Sequence, residues 1–369
     1  MKKNKILAVF ILLCAFVLSG CVFPFGRNDQ LNYTTPIVVQ GSENSQTTIT
    51  PTDIVNSCID AVVTIFVVSS TGEKVSMGSG VAIHAGGYVL TNNHVVSLAE
   101  SNSSYALKVY HNNSELSHSA EILWTNVNLD CAIIKCSCGD MPFVEMTDRF
   151  IACEQTKKLN ALEQVVTIGT PIDFSLQNSC SLGYISSSSS RVSFSDGVVY
   201  EDLIQHTAPI NHGNSGGPLF DMTGKLIGLN TLGHDDAHSL FFAVPVYPAM
   251  LVIDRVVSAY ENNTKFTTAT VGISGIDRFM SEYYVSAGLE YSNFQKEGLL
   301  VTDVTANTNA VDKMQKDDVV KAITINNVKY TINDRNDLLF AILKANKGDS
   351  VTLHFQRGLL SITQTFELV

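Results

Sequence analysis

Ser215 has the surroundings that a nucleophilic serine requires. It lies in residues 213–218 (GNSGGP), where glycines on both sides let the main chain turn tightly and let a substrate carbonyl approach. An attacking serine also needs backbone N–H groups that face the developing oxyanion, and Gly213 and Ser215 are the residues that would supply them. A glycine-rich turn between two strands is the alternative interpretation of the same residues.

A histidine and an aspartate earlier in the chain could activate this serine. His94 follows the apolar residues 88–90, and Asp130 stands at the start of the apolar run 131–134. His94 would take the serine proton, and a buried Asp130 could hold its tautomer and stabilise the imidazolium. Each residue alone is a weak signal, because a lone histidine is more often a surface or core residue. Together they give the order His, Asp, Ser, which is the order on chymotrypsin-type double barrels.

The elements that must position these residues are short strands. From residue 53 onward, short apolar or alternating runs are separated by Gly, Ser, Asn and Asp, which predicts an antiparallel barrel or sandwich. Residues 245–260 carry apolar side chains on one helical face, so a helix is expected to close this part of the chain. A polar break at 261–265 precedes a second unit, for which strands at 299–304, 319–325 and 351–355 and a helix at 335–344 are predicted.

The first residues have the pattern of an export signal. Lysines precede an apolar run of a length typical of a signal peptide, and residues 18–21 (LSGC) resemble a bacterial lipobox. We expect residues 1–20 to be a lipoprotein signal, Cys21 to carry the lipid, and residues 21–52 to be a flexible tether. The protein would then be anchored in the bacterial cell envelope, facing outside the cytoplasm. An uncleaved anchor and ordinary cleavage are the alternatives.

Several motifs in this order resemble the HtrA/Deg family of trypsin-like serine proteases. They are residues 78–81 (GSGV), 88–96 (YVLTNNHVV), 129–135 (LDCAIIK), 213–219 (GNSGGPL), 227–230 (IGLN) and 242–245 (FAVP). The resemblance covers roughly residues 53–262. It implies a mostly β fold: a chymotrypsin-like double β-barrel protease domain over 53–265, followed by a PDZ-like α+β domain over 266–369.

The PDZ-like assignment depends on a short motif and includes a departure. Val271, Gly272 and Ile273 resemble the loop whose backbone N–H groups receive a peptide's C-terminal carboxylate, so exposed C-termini are expected partners. Asp317 stands where the family has a turn glycine, and Asp tolerates that conformation better than most residues. A structural loop without peptide binding is the alternative.

Composition and cysteine spacing narrow the remaining function classes. The net charge is −11, so the basic stripe that nucleic acid requires is missing, and nucleic acid is not an expected partner. The chemistry needs no cofactor or metal, and we interpret residues 234–238 (HDDAH) as a solvated loop rather than a metal site. Cys136 and Cys138 lack the spacing of a zinc knuckle, and the sequence does not choose among the disulfide pairings of the exported cysteines.

The function we expect is a serine endopeptidase that cuts unfolded or damaged exported proteins. A peptide-binding chaperone or stress sensor with a latent site is the alternative, motivated by Asp317 and by His212 beside the presumed oxyanion loop. A processing protease with one substrate would use the same residues. The resemblance also implies a homo-trimer, cleavage after small aliphatic residues with Asn230 near the pocket, and a sensor loop over 186–200 that begins at the serine run 186–190.

Overall fold

The computed structural model describes residues 34–41, 48–111, 114, 116–147, 149, 159–193, 199–233, 239–286, 288 and 294–369. The predicted signal peptide, Cys21, most of the predicted tether and residues 234–238 lie outside these ranges. No helix within them is long and apolar enough to span a membrane. The first element in the described ranges is helix α1 (Pro51–Cys58), whose N-terminus is closed by a capping box between Thr50 and Asp53.

The first barrel is a closed antiparallel sheet in the order β1-β2-β3-β6-β5-β4. Its strands are β1 (Val62–Ser69), β2 (Lys74–His84), β3 (Tyr88–Thr91), β4 (Tyr105–His111), β5 (His118–Asn126) and β6 (Cys131–Cys136). Helix α2 (Asn93–Ser101) follows β3. Strand β1 (VVTIFVVS) is rich in β-branched residues and buried along nearly its whole length, as expected where both faces of a strand are covered.

The second barrel is closed in the order β10-β11-β12-β9-β8-β7. Its strands are β7 (Gln164–Gly169), β8 (Ser179–Ser193), β9 (Val199–His206), β10 (Pro218–Asp221), β11 (Leu226–Gly233) and β12 (Phe241–Pro245). The prediction that residues 186–190 begin a loop is wrong, because they continue strand β8 and pair with β9 through several register shifts. Bulges let a serine-rich stretch stay in the ladder. Of the predicted sensor loop, residues 194–198 lie outside the described ranges.

Helix α3 (Tyr247–Glu261) follows the second barrel where a closing helix was predicted. We call residues 266–369 the C-terminal unit. It contains a sheet in the order β13-β14-β15-β17-β18, with β16 paired to β15. Its elements are β13 (Ile273–Ile276), α4 (Arg278–Ser286), β14 (Leu299–Val304), β15 (Val319–Ile325), β16 (Val328–Thr331), α5 (Arg335–Leu343), β17 (Ser350–Arg357) and β18 (Leu360–Glu367). The predicted fold class, a double barrel followed by an α+β unit, is confirmed.

The turn at Asp317 has the backbone conformation expected from the sequence. Asp317 has φ of +73°, the left-handed conformation expected for a residue in place of a turn glycine.

The structure assigns a state to five of the cysteines. Cys136 and Cys138 form a disulfide, whereas Cys58 and Cys131 are buried free thiols and Cys180 is an exposed one. Burial raises the pKa of Cys58 to about 12, so this thiol stays protonated and unreactive at neutral pH.

Helix α5 joins the C-terminal unit to the barrels. Its first three residues are polar, but residues 338–343 (LLFAIL) are all apolar, which is typical of a helix segment covered on all sides. Leu338 and Ile342 belong to the core of the C-terminal unit, whereas Phe340 packs against the barrel core and contacts Tyr247 of α3 edge to face. Arg255 of α3 donates to the carbonyls of Leu343 and, at 2.8 Å, Ala345, closing the C-terminus of α5. The C-terminal unit is therefore packed onto the barrels along this helix.

A buried carboxyl lies at the other end of α5. Glu201 of β9 has a fully buried side chain that faces Asp277, just before α4. Asp277 accepts from the backbone N–H of Arg335 at 3.2 Å, and Arg191 Nε lies 3.9 Å from Glu201 Oε2. Burial raises the pKa of Glu201, and Asp277 raises it further, to about 9. The folded chain therefore holds a proton on Glu201 at neutral pH.

This proton makes stability depend on pH. The pKa of Glu201 in the folded chain lies above its value of about 4.3 in the unfolded chain. Its contribution to stability is therefore complete below about pH 4 and is lost as pH rises toward 9. We expect Glu201→Gln to remove this loss, since an amide mimics the protonated acid. The free energy of unfolding of the variant should exceed that of the wild type by ~1–3 kcal/mol at pH 8 and by less at pH 5.

Chemical denaturation at several pH values measures this difference. Glu145→Gln is the matched control, because Glu145 is exposed and paired with Lys225 at 2.7 Å. It should leave the pH dependence of the wild type unchanged. Equal slopes for the wild type and Glu201→Gln between pH 5 and pH 8 would contradict the assignment of the proton to Glu201.

Candidate active site

The predicted triad residues come from both barrels. His94 lies in the first turn of α2, Asp130 precedes β6, and Ser215 lies in the loop between β9 and β10. The first two thus belong to the first barrel and the third to the second barrel. The backbone N–H of Ser79 in β2 donates to the carbonyl of Ser215 at 2.8 Å, so the two barrels meet directly at the serine.

Asp130 holds His94 through both its ring and its backbone. His94 Nδ1 lies 2.9 and 3.0 Å from the two carboxylate oxygens of Asp130, and the backbone N–H of His94 donates to Asp130 Oδ1 at 3.0 Å. The first N–H groups of a helix lack partners within the helix, so this carboxylate also closes the N-terminus of α2. The aspartate itself has φ of +45° and is 2% exposed.

These contacts decide the proton affinity of the imidazole. Partial burial lowers the pKa of His94, but the hydrogen bond to Asp130 and the negative charge of Asp130 raise it, and the net pKa lies above the ordinary value. The side chain of His94 is 43% exposed, so its outer edge faces the cleft. A base with this pKa can accept a proton at neutral pH and hold it while a reaction proceeds.

Thr231 links the serine to the aspartate. Its hydroxyl donates to Asp130 Oδ2 at 2.8 Å, and its carbonyl accepts from the Ser215 hydroxyl at 3.1 Å. The register of β11 shifts between Asn230 and Leu232, so Thr231 lies in a bulge. A bulge interrupts the alternation of side chains between the two faces of a strand. Within the described residues, no hydrogen bond joins the Ser215 hydroxyl to His94. The hydroxyl would have to rotate toward His94 for proton transfer.

We call residues 211–217 the oxyanion loop. Gly213 has φ of +95°, and a Cβ there would lie 2.2 Å from the carbonyl oxygen of Thr170, so only glycine fits. The carbonyl of His212 accepts from the N–H of Ile172 at 2.6 Å, which directs the N–H of Gly213 away from Ile172 because the two groups of a trans peptide oppose each other. In the described part of the chain, the N–H groups of Gly213 and Ser215 have no hydrogen-bond partner.

Two further predicted residues lie beside this loop. The His212 side chain is exposed, and its carbonyl makes the bond that fixes the loop. Asn230 is fully buried, and its Nδ2 donates to the carbonyls of Gly217 and Pro218, each at 3.1 Å. Asn230 therefore supports the turn that follows the serine, and its role in a substrate pocket stays a prediction.

Residues 271–273, the loop predicted to receive a peptide's C-terminal carboxylate, lie at the start of the C-terminal sheet. Gly272 has φ of +81°, its N–H donates to Thr270 Oγ1 at 3.1 Å, and its carbonyl accepts from Thr305. Val271 is buried, and Ile273 begins β13, an edge strand to which a peptide could add. Peptide binding at this edge stays a prediction.

Sequence reasoning missed Thr231 and Ser79. Thr231 stands next to Asn230 in β11, but its role depends on a bulge that no local sequence pattern announces. Ser79 lies in the GSGV motif, yet its partner Gly213 is 134 residues away. A small hydroxyl residue between two glycines was the only available signal.

The comparisons with known proteins agree with this geometry. Residues 78–229 match the family model of the trypsin-like peptidase domain. A probable periplasmic DegP-like serine endoprotease of Bartonella henselae is 31% identical over 283 residues, which cover 76% of this chain and 50% of that protein. A protein of the same description from a Marinomonas species is 32% identical over 244 residues, covering 65% and 46%. The chain thus spans about half the length of these curated relatives.

Two solved structures share the fold. The HtrA-type protease AlgW with tripeptide is 23% identical, with 86% of this chain and 96% of that chain covered and a TM-score of 0.61. The serine endoprotease from Yersinia pestis is 20% identical, with 86% and 97% covered and a TM-score of 0.57. The chain thus shares the two-barrel fold of these structures, and residues 78–229 are similar to a trypsin-like peptidase domain. The curated relatives that it matches are described as DegP-like serine endoproteases.

The Asp130–His94 contact generates a prediction about pH. A neutral His94 is needed to accept the serine proton, so kcat/KM should rise with pH through the pKa of His94, which lies above the ordinary ~6.5. Asp130→Asn removes the charge and the acceptor that raise this pKa. We expect the inflection to move to lower pH and kcat to fall by ~10³–10⁴-fold. A pH–rate profile on a peptide substrate measures both effects.

Glu100→Gln serves as the control, since Glu100 is an exposed residue of α2 that accepts from Thr125 and does not contact the triad. Its profile should match that of the wild type. An inflection in Asp130→Asn at the same or a higher pH would contradict the assignment of His94 as the base.

Proposed function

We propose that the protein is a serine endopeptidase that cleaves exported polypeptides by acyl transfer to Ser215. The observation that carries the proposal is the arrangement of His94 on Asp130 beside a serine whose loop offers two unpartnered N–H groups. Three groups with these properties are what acyl transfer requires: a nucleophile, an oriented base and an oxyanion site.

The proposed reaction begins with rotation of the Ser215 hydroxyl from Thr231 toward His94. Ser215 Oγ attacks the substrate carbonyl while His94 takes its proton, and Asp130 stabilises the imidazolium. The N–H groups of Gly213 and Ser215 receive the oxyanion. His94 then gives the proton to the leaving amine, and water releases the acyl group by the same steps in reverse. No step needs a metal or another cofactor.

We propose protein quality control in the cell envelope as the setting. Two relatives are described as periplasmic endoproteases, and solved neighbours contain a tripeptide or a decapeptide, which supports peptide binding at a related fold. Unfolded or damaged chains would supply both an extended scissile segment and an exposed C-terminus. By resemblance we also propose that Cys21 carries a lipid and that the protein forms a homo-trimer. Residues 266–369 would then act as a PDZ-like domain that binds peptides. The proposed pocket prefers small aliphatic residues.

One observation favours a second candidate, a peptide-binding chaperone or sensor with a latent site. The Ser215 hydroxyl donates to Thr231 instead of His94, so the triad is not hydrogen-bonded from end to end. Such a protein would bind peptides through the C-terminal unit and become active only when the hydroxyl turns. Equal peptide binding without cleavage by the wild type and by Ser215→Ala would favour this candidate.

The cleavage of a permanently unfolded protein tests the proposal. We expect the purified chain from residue 22 onward to degrade it and Ser215→Ala to be slower by ~10⁴-fold or more, because the nucleophile is lost. Ser179→Ala is the control, since Ser179 is a half-buried serine at the start of β8 whose hydroxyl donates to the Leu176 carbonyl, and this variant should retain full activity. Undiminished cleavage by Ser215→Ala would contradict the assignment.

The same digest tests the proposed pocket. Sequencing of the product termini should show small aliphatic residues before the cut bonds. Predominant cleavage after Lys or Arg would overturn this preference while leaving the endopeptidase proposal intact.

A further inference from the structure

We infer that Ser79, a residue of the first barrel, is a positioning residue that sets the oxyanion loop of the second barrel. Its side chain fixes the peptide between Gly213 and Asn214, and the loop then presents the N–H groups of Gly213 and Ser215 to a substrate carbonyl. The inference rests on the proposed function, because the oxyanion loop has a catalytic task only if Ser215 attacks a substrate carbonyl. Ser79 itself does not touch the reacting atoms.

The hydrogen bonds of the Ser79 hydroxyl have a fixed direction. Its Oγ lies 2.7 Å from the carbonyl oxygen of Gly213 and 3.0 Å from the backbone nitrogen of Thr170. A hydroxyl carries one proton and an N–H can only donate, so Ser79 accepts from Thr170 and gives its proton to Gly213. The side chain is fully buried, so water does not compete for either bond.

The backbone of Ser79 holds a second carbonyl of the oxyanion loop, that of Ser215. Its backbone N–H donates to the Ser215 carbonyl at 2.8 Å, and its own carbonyl accepts from Thr91 Oγ1 at 2.7 Å. One residue therefore holds two carbonyls of the oxyanion loop, on Gly213 and on Ser215. Both bonds cross from the first barrel to the second.

The carbonyls of His212 and Asn214, which precede and follow that of Gly213, have partners of their own. His212 accepts from Ile172 at 2.6 Å, and Asn214 accepts from Gly217 at 2.8 Å. All the carbonyls from residue 212 to residue 215 are thus held, which orients the intervening N–H groups. Once the Ser79 bond is lost, the peptide that follows Gly213 is held by the N–H of Asn214, which donates to the Asn211 carbonyl at 3.0 Å. Gly213, with φ of +95°, has the backbone freedom to let that peptide rotate. A buried carbonyl without a donor is unfavourable, which favours such rotation.

The space around Ser79 accepts only a small side chain. A Cβ at Gly169 would lie 3.2 Å from Ser79 Oγ, and a Cβ at Gly217 would lie 3.2 Å from Ser79 Cβ. A Cβ at Gly216 would lie 2.2 Å from the Ser79 carbonyl oxygen. The surrounding glycines bring the loop close enough for a serine hydroxyl to reach Gly213.

Thr64 offers a matched control in the same polar cluster. It is fully buried in β1, and its Oγ1 lies 2.6 Å from Thr170 Oγ1. Thr64→Val removes one buried hydroxyl and one hydrogen bond, and it leaves the carbonyl of Gly213 bonded. Ser79→Ala also removes one buried hydroxyl, but with it both hydrogen bonds, to Gly213 and from Thr170. A loss of activity from reduced stability alone would appear in both variants.

The test compares kcat and KM of the two variants on a peptide substrate. We expect Ser79→Ala to lower kcat by ~10–100-fold with KM changed by less than ~3-fold, because the loop acts on the oxyanion rather than on substrate binding. Thr64→Val should keep kcat within ~3-fold of the wild type. Ser79→Cys, which retains a weak donor, should give an intermediate kcat. Equal kcat values for Ser79→Ala and Thr64→Val would overturn the inference.

A second measurement does not depend on a substrate. A fluorophosphonate reacts with an activated serine, and its phosphoryl oxygen occupies the oxyanion site, so Ser79→Ala should be labelled ~10–100-fold more slowly than Thr64→Val. If the wild type is labelled but cleaves no polypeptide, the endopeptidase proposal fails while the labelling rates still decide on Ser79. Equal labelling rates for the two variants, or a crystal structure of Ser79→Ala with the Gly213 carbonyl unmoved, would overturn the inference.

Discussion

A hydrogen bond of 2.8 Å between the Thr231 hydroxyl and the Asp130 carboxylate joins the two barrels at the candidate site. The rest of the site depends on this constraint, because the histidine and the aspartate belong to one barrel and the serine to the other. The same carboxylate closes the N-terminus of α2 and holds both the backbone and the ring of His94. A single buried charge thereby fixes the base, its helix and the strand beside the serine.

The serine loop is held from the opposite side by main-chain and hydroxyl contacts of Ser79. Glycines are required there for a spatial reason: a Cβ at Gly213 or Gly216 would lie 2.2 Å from another residue's oxygen. The close approach of the two barrels thus explains the glycine at 216, and the contact with Thr170 of the same barrel explains the glycine at 213, as well as any catalytic need does. The N–H groups of Gly213 and Ser215 can remain without partners beside this part-buried serine, because each carbonyl from residue 212 to residue 215 already accepts from another donor.

Local patterns predicted the fold well where a residue's role depends on its immediate neighbours. The helix predicted over 245–260 is α3 (Tyr247–Glu261), and the strands predicted at 299–304 and 319–325 are β14 and β15. The positions of His94, Asp130 and Ser215 followed from motif order, and the structure brings the first two into contact. Thr231 and Ser79 could not be found, because a bulge and contacts between distant residues decide their roles. The run 186–190 was misjudged, since pairing with β9 outweighs the loop preference of serine.

The C-terminal unit is packed onto the barrels rather than attached by a bare linker. Helix α5 contributes to two cores, Arg255 closes one of its ends, and Arg335 and Asn336 bond to strand β9 at the other. A ligand on this unit would therefore act on a body already in contact with the second barrel. The protonated Glu201 lies within that contact, so the packing of the two parts is coupled to proton binding.

In the mechanism that we propose, Ser215 is a nucleophile activated by His94. The most direct measurement is mass spectrometry of the intact chain and its peptides after reaction with a fluorophosphonate, for the wild type and for His94→Ala. We expect one adduct per chain, located on Ser215, and its loss in His94→Ala. An adduct on another residue, or equal labelling of Ser215 in both proteins, would contradict activation of Ser215 by His94.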